Sequence, residues 1–329
     1  MRVFLSPEEK EQILSIVKTW RRDQINTTVF SMLQSKYGVP ARMVETAFWH
    51  VDTLDVLREL RWLVFKGGTC IQSYIDPYLQ RVSVDLDFNS KIEHPNAVQE
   101  SVEGLNAMLK ENGRAICIKG VWFGTIEFVQ KDERTGTLTF RRRMPSRFGE
   151  IETAGDVDIQ SKSLRIQINY KHAWLPALET NYRLVRLFVQ NMEKTVQPVK
   201  IHHESVEDLF ADKILAVSNI GPFGRERFKD VYDLIVLSYL EIRKERVLEK
   251  LGSIGEKSNL SAEEILRGAR NTVLSFSEHA EEASGFSAIV CKEGKKIVER
   301  WEDECRRLGE IVKRWLDGEQ LRIIESGDS

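Results

Sequence analysis

The chain is poor in the features that assign a protein to a class quickly. It has only four cysteines, Cys70, Cys117, Cys291 and Cys305, and no Cys-x-x-Cys pair. A zinc knuckle or dithiol redox motif is therefore not suggested, and the scattered thiols read as reduced cytosolic residues. No apolar run approaches bilayer-spanning length, and the opening MRVFLSPEEKEQ lacks the long apolar core of a signal peptide. Both point to a soluble, cytoplasmic protein with no membrane partner. The formal charge is only −2, so no global field favours nucleic acid and any polyanion site must be a local patch. There is no internal repeat and no low-complexity tract. What remains is a 329-residue chain, 42% hydrophobic and 30% charged, long enough for two domains and a sizeable core.

Residues 6–60 read as helical. Ser6-Pro7-Glu8-Glu9 is a helix start, with a capping serine, proline in the first turn and acid behind it. Gly38-Val39-Pro40 breaks the pattern before a helix over 41–60. RWLVF (61–65) reads as a short strand, Gly67-Gly68 as a turn, and Thr69–Tyr74 as a short helix. Val82–Phe88 alternates like a strand, with Val84, Leu86 and Phe88 on one face and Ser83, Asp85 and Asp87 on the other. A helix over 95–112 is followed by strand signals at 115–118, 125–129, 138–140 and 164–168, with DERTG (132–136) as a hairpin turn. Residues 141–163 are polar and poorly patterned. From Ser205 the signal is helical: 205–219, 226–241, 243–252, 261–270 and 288–317. The composition shift near residue 200 is the only domain boundary in view. The predicted fold is α+β, with an N-terminal helical segment (1–60), a core on a mixed β-sheet (61–204) and a helical C-terminal domain (205–329).

Two constellations carry chemistry. Asp85 and Asp87 stand two apart on a strand, so both carboxylates face one side and repel each other. A divalent ion relieves that repulsion, and carboxylates together with phosphate oxygens suit Mg2+. Ser83 shares their face and can donate to a phosphate. Gly67-Gly68-Thr69 lets backbone amides approach a polyphosphate at the start of a helix, and Lys66 or Arg81 adds charge. The second constellation is ADKILAV (211–217) followed by RFKDVYDL (227–234). Lys213 lies on or beside the apolar stripe of Leu209, Phe210, Ile214 and Val217. Either it has a buried partner or its ammonium snorkels to water. Asp230 and Asp233 flank the next apolar face. Pairing of Asp230 with Lys213, with Arg227 or Lys229, and simple solvation all stay open on spacing alone.

The ordered set KGGT, RVSVDLDF, ADKILAV and RFKDVYDL, spanning residues 63–237, resembles the AbiEii/AbiGii nucleotidyltransferase toxin family of the polymerase-beta-like nucleotidyltransferase superfamily. The resemblance implies a nucleotidyltransferase lobe joined to a helical C-terminal lobe, with the site in the cleft between them. It implies transfer of NMP from an NTP with Mg2+ to an acceptor, a tRNA 3′ end in related toxins, and a cognate antitoxin as partner. By the same resemblance, Lys66, Gly67, Gly68, Thr69 and Ser83 hold phosphates, Asp85 and Asp87 bind the metal, Lys213 contacts the triphosphate, and Asp230 orients that lysine or the nucleotide. Two departures stand out. The loop between Gly68 and Asp85 has 16 residues, slightly longer than the family pattern, with Tyr74–Leu79 as the insert. The strand LRIQINY (164–170) carries Gln167 where the superfamily has a third carboxylate. A neutral amide is a weaker Mg2+ ligand and no general base; Glu127, Asp156, Asp158 and Asp230 are the substitutes within the chain.

Arg141, Arg142, Arg143 and Arg147, with Lys131 and Arg134 nearby, form a basic patch in or beside a loop. It reads as an RNA contact or, equally, as a solvated turn paired with Glu150 and Glu152. Trp122, Tyr170 and Trp174 are candidate base-stacking groups, though aromatics in strands more often serve the core. His202-His203 lacks metal spacing and reads as surface. The stripe Val298, Trp301, Cys305, Leu308, Ile311, Val312 and Trp315 reads as helix packing or a partner interface. Two alternatives to the RNA-directed toxin remain: a catalytically weakened RNA- or protein-binding module on the same fold, and nucleotidyl transfer to a protein or small molecule.

Overall fold

The computed structural model describes residues 6–9, 11–12, 27–118, 120–145, 161–171, 180–190, 199–218 and 228–318. The chain forms two compact units. One comprises Met1–Ala173, Asn181–His203 and Ile289–Lys292, and the other Trp174–Thr180, Glu204–Ala288 and Glu293–Ser329.

In the first unit, Ser6 starts its helix by accepting from the Glu9 amide at 3.2 Å, while the Glu9 carboxylate accepts from the Ser6 amide. This is the reciprocal cap its spacing predicts. Helices α1 (Thr27–Tyr37) and α2 (Ala41–Leu57) follow, and α2 is buried from Val44 to Leu57 apart from Asp55. Next come β1 (Leu63–Lys66), α3 (Gly67–Gln72), β2 (Asp85–Ser90), α4 (Pro95–Glu111), a small hairpin of β3 (Ile116–Ile118) and β4 (Val121–Phe123), β5 (Ile126–Asp132), β6 (Thr137–Pro145), β7 (Ser161–Asn169), β8 (Thr180–Leu184) and β9 (Lys200–Glu204). Seven strands form one mixed sheet in the order β5-β6-β7-β2-β1-β9-β8. β2 pairs antiparallel with β1 and parallel with β7. Its alternation sends Leu86 and Phe88 into the core, where Phe140, Leu164, Ile166 and Ile168 of β6 and β7 are also buried. Asp85 and Asp87 take the other face. At the β5 edge the pairing with β6 shifts register between Phe128 and Gln130, a β-bulge. The amide of Asn106 from α4 bonds both the N–H and the C=O of Ile126, each at 2.7 Å.

Several expectations are corrected. The strand carrying the aspartates is Asp85–Ser90, not 82–88, so Val84 precedes it and is 60% exposed instead of joining Leu86 and Phe88. The poorly patterned stretch 141–163 carries strand at both ends, since β6 runs on to Pro145 and β7 begins at Ser161, and residues 146–160 lie outside the described residues. Its arginines obscure the strand period. Arg142 falls on the core face, 1% exposed. It donates to Asp52 at 2.6 Å, to Thr53 at 3.0 Å and to the Gly124 carbonyl at 2.8 Å, while Arg114 bonds the second Asp52 oxygen at 3.1 Å. His203 is fully buried against Phe65 and Cys70, and His202 is half-buried, so the pair is not a surface feature.

The second unit is helical: α5 (Val206–Val217), α6 (Phe228–Leu237), α7 (Lys244–Ser258), α8 (Ala262–Phe276), α9 (Ala280–Phe286), α10 (Lys292–Glu299) and α11 (Trp301–Leu316). α5 packs on α6, α7 and α8, and α8 packs along α11. The expected single helix over 288–317 is two, divided at Arg300. Its stripe does pack: Trp301, Cys305, Leu308, Val312 and Trp315 are buried, and Trp301 donates to the Phe276 carbonyl at 2.8 Å. Lys250 of α7 is fully buried between Asp208 (3.1 Å) and Asp212 (2.6 Å) of α5. None of the four cysteines is in a disulfide, and no described helix is long and apolar enough to cross a membrane.

Removing one partner of a buried ion pair strands the other. Asp52→Ala is therefore expected to cost about 3–5 kcal/mol in denaturant unfolding, whereas Arg141→Ala, on the exposed face, costs less than about 1 kcal/mol. Burial also holds two imidazoles neutral. His50 of α2 is pushed down to about 4 by desolvation and then by the Lys162 charge, against the opposing pull of the Val84 backbone and Asp85. His203 is pushed down to about 3, chiefly by desolvation. Each contributes stability that is intact above the unfolded-state value near 6.5 and lost as pH falls, because the unfolded chain takes up the proton first. Melting temperature should fall as pH drops from 6.5 towards about 5, with up to about 1.4 kcal/mol lost per pH unit per histidine, and His50→Gln should flatten that slope.

Candidate active site

The first unit builds a carboxylate site at the junction of β1, α3 and β2. The chain leaves β1 and turns at once into α3 through Gly67, whose φ of +75° disfavours any other residue. A Cβ there would fall 2.9 Å from the Asp87 Cβ and closer still to its carboxylate. A Cβ on Gly68 would meet the Arg81 guanidinium at 2.5 Å and approach the Ser83 hydroxyl at 3.5 Å. The two glycines thus let the backbone lie directly against Asp87, Arg81 and Ser83. β-Pairing sets Lys66 opposite Asp87. Lys66 is buried, while Ser83, Asp85 and Asp87 are half-buried.

The Gly68–Asp85 loop is held by two buried glutamines whose roles the sequence did not disclose. Gln72 donates to the Gly68 carbonyl at 2.9 Å and accepts from the Arg81 amide at 2.8 Å. Gln80 donates to the Gln72 and Arg186 carbonyls at 2.6 and 2.7 Å, and accepts from the Phe188 amide at 2.6 Å. Backbone bonds from Val82 to Ile289 and from Cys291 to Gln80, both 2.8 Å, add a short bridge to this loop. Buried amides satisfied on both sides are rigid anchors. Thr69 is buried and spends its hydroxyl on the Asp85 carbonyl at 2.7 Å, so its side chain locks α3 to β2 and is not directed at a phosphate. His50 lines a small cavity with Gln72, Arg81 and Ser83, and its Nε2 has no hydrogen-bond partner.

Strand register decides what faces the aspartates. β7 places Arg165 opposite Asp85 and Gln167 opposite Asp87. Arg165 grips Asp85 through two bonds, Nε to Oδ1 at 2.9 Å and Nη2 to Oδ2 at 2.5 Å. The hydrogen bond to Asp85 holds this guanidinium above its ordinary pKa. Nothing in the local sequence marks Arg165, because only the parallel register of β7, two residues before Gln167, brings it to Asp85. Beyond it, Arg141 of β6 faces Arg165 and is ion-paired with Glu127 of β5 at 3.5 Å, while Arg143 lies 3.8 Å from the same carboxylate. Glu127 is three strands from β2, about 14 Å by strand spacing, so it does not complete the aspartate pair.

The remaining sequence-derived residues separate. Of the basic patch, Arg141 and Arg143 face outward, Arg142 is a buried structural ion, and Arg147 lies outside the described residues, as do Asp156, Asp158 and Trp174. Tyr170 is buried with its hydroxyl on Glu133 at 3.0 Å, a core position. Trp122 is half-buried under the Lys110 ammonium, 4.5 Å from its ring. In the second unit, Lys213 is ion-paired with both Asp230 and Asp233, the latter at 2.8 Å. Asp233 is a partner that spacing alone did not select. Both acids come from the first turns of α6, three residues apart on one face.

Among the described residues no cluster of three or more metal-ligating side chains occurs. The donor set still fits Mg2+, which is commonly held by one or two carboxylates with phosphate oxygens and water filling its other positions. Asp85 and Asp87, side by side with glycine backbone against them, supply that minimum.

No curated protein sequence matches this chain. Among solved structures, it is similar to a candidate nucleotidyltransferase from H. pylori, at 15% identity and a TM-score of 0.41, over 82% of this chain and 96% of that one. The family model described as nucleotidyl transferase AbiEii toxin, type IV TA system, matches residues 57–286. That span takes in the glycine turn, both aspartates, Arg165, and the Lys213, Asp230 and Asp233 cluster, and on it the chain belongs to the AbiEii nucleotidyltransferase toxin family.

Proposed function

We propose that this chain transfers NMP from an NTP, with Mg2+, to the 3′ end of a tRNA, as the toxin half of a pair with a cognate antitoxin. The observation that carries the reading is the packing of Gly67 and Gly68 against Asp87, Arg81 and Ser83, with Asp85 two residues before Asp87 on the same strand. That arrangement sets a close backbone surface, a buried arginine and a hydroxyl beside two carboxylates, groups that suit a metal-bound polyphosphate. Asp85 and Asp87 would hold the ion, and when bound it supplies charge neutralisation at the phosphates under attack.

The chain's own residues bind and orient. Lys66, Gly67, Gly68 and Ser83 hold phosphates, with Arg81 added to that set. By the family resemblance Lys213 is assigned to the triphosphate, and within its own unit Asp230 and Asp233 hold its ammonium. The acceptor hydroxyl attacks the α-phosphorus and pyrophosphate leaves. Gln167, opposite Asp87, cannot take the proton, so catalysis rests on positioning and charge rather than on a base from that strand. Thr69 and Arg142 leave the proposed set of ligands, since one is tied to the Asp85 backbone and the other is buried against Asp52. Arg141 and Arg143 stay as candidate RNA contacts.

Incubation with each labelled NTP, Mg2+ and total tRNA should put label into RNA, with activity down at least about a hundredfold in Asp85→Ala and Asp87→Ala. Label in protein or a small molecule would replace the acceptor; RNA binding with no transfer to any acceptor would favour a binding module. A second outcome concerns the turn. Gly67→Ala should cost about 1–3 kcal/mol and abolish nucleotide binding, because the added methyl displaces Asp87. Gly104→Ala on α4, where a methyl meets open space, should be neutral or stabilising by up to about 1 kcal/mol in the same melts.

A further inference from the structure

The clamp of Arg165 on Asp85 has no place in the assignment of phosphate and metal ligands above. We propose that Arg165 is the resident counter-ion of the carboxylate site and its selector for metal-bound nucleotide over free metal. The guanidinium holds Asp85 through two hydrogen bonds. A bare divalent ion arriving at Asp85 must break that pair and then sits beside a displaced cation, so its binding is opposed twice. A metal–nucleotide complex brings both replacements together, a cation for Asp85 and phosphate oxygens for Arg165, and guanidinium binds phosphate in the same two-pronged manner as carboxylate.

The surroundings fit an exchange of partners better than a fixed structural pair. The Arg165 side chain is 54% exposed, free to swing without unpacking the core, while Asp85 is 16% exposed. Its neighbour across β6 is Arg141, also cationic. The row Asp85, Arg165, Arg141, Glu127 resolves into two ion pairs, with Arg143 as a second cation on Glu127 at 3.8 Å. Once Asp85 is occupied by an ion, Arg165 loses its two-pronged partner, while Glu127 is already shared by Arg141 and Arg143. Like charges directly opposite on a sheet are unfavourable, so an anion at Arg165 becomes the stable arrangement. Gln167 beside it adds no competing charge.

This inference rests on the reading of Asp85 and Asp87 as metal ligands, and the test separates the two. Mn2+ binding to the full chain is measured by titration calorimetry, alone and with an NTP analogue whose α,β-bridge is methylene. In Arg165→Gln, free Mn2+ should bind about three- to tenfold more tightly, the scale of an exposed ion pair, while the Mn2+–analogue complex binds about tenfold more weakly. Arg165→Lys, which keeps the charge but loses the two-pronged grip, should lie between. Asp85→Asn supplies the reference for site-specific binding. Opposed shifts support the proposal, since loss of a merely structural residue would not tighten one ligand and weaken the other. Asp85-dependent Mn2+ binding that is unchanged in Arg165→Gln, or that moves the same way for both ligands, overturns the proposal and leaves the site intact. Absence of Asp85-dependent binding in every variant overturns the metal site and the proposal together.

Discussion

The parallel pairing of β2 with β7 is the constraint on which the site depends. A slip of one residue would turn Asp85 and Asp87 into the core and bring Leu86 to the surface. The register is pinned from both sides. Leu86 and Phe88 are buried at 0% exposure on one face, while Arg165 and Gln167 meet the aspartates on the other. The same register that sets the two aspartates side by side therefore also brings Arg165 to Asp85. Pairing with β1 on the opposite edge of β2 brings Lys66 and the glycine turn to Asp87.

Local features of the first unit were legible wherever a short-range rule governed them. The Ser6 cap, the breaks at Gly38 and Gly67, the hairpin at 132–136 and the helix over 95–112 all come from residues within a few positions of each other. Asp85 and Asp87 could be placed on one face because a two-residue period needs no knowledge of the fold. What stayed hidden came from distant partners. Gln80 is an ordinary loop glutamine until the 186–188 backbone arrives to be bonded. Asp233 was one acid among several until Lys213 lay against it.

The arginine run shows why a tally of charges misleads. Arg141, Arg142 and Arg143 are consecutive, and as a loop they would present one basic surface. On β6 they alternate, so the middle one enters the core and is neutralised by Asp52, while its neighbours meet Glu127. The strand signal stopped at Phe140 because a buried arginine breaks the apolar alternation that marks a strand, and its carboxylate lies 90 residues earlier on α2. A desolvated guanidinium with three protein partners is a structural element, whatever its formal charge.

The β5 margin of the sheet has a further consequence. Among the described residues β5 is a border strand, and a border strand with a regular row of unused amides and carbonyls invites another copy of itself to dock. Here the row is spoiled in two places. Asn106 already occupies both backbone groups of Ile126, and the bulge between Phe128 and Gln130 throws the spacing out of step just where Phe128 and Val129 stand exposed. The two apolar side chains that would most reward self-association thus sit on the stretch least able to form a continuous intermolecular ladder, and the chain gains protection from fibrillar stacking without placing a charge at either position.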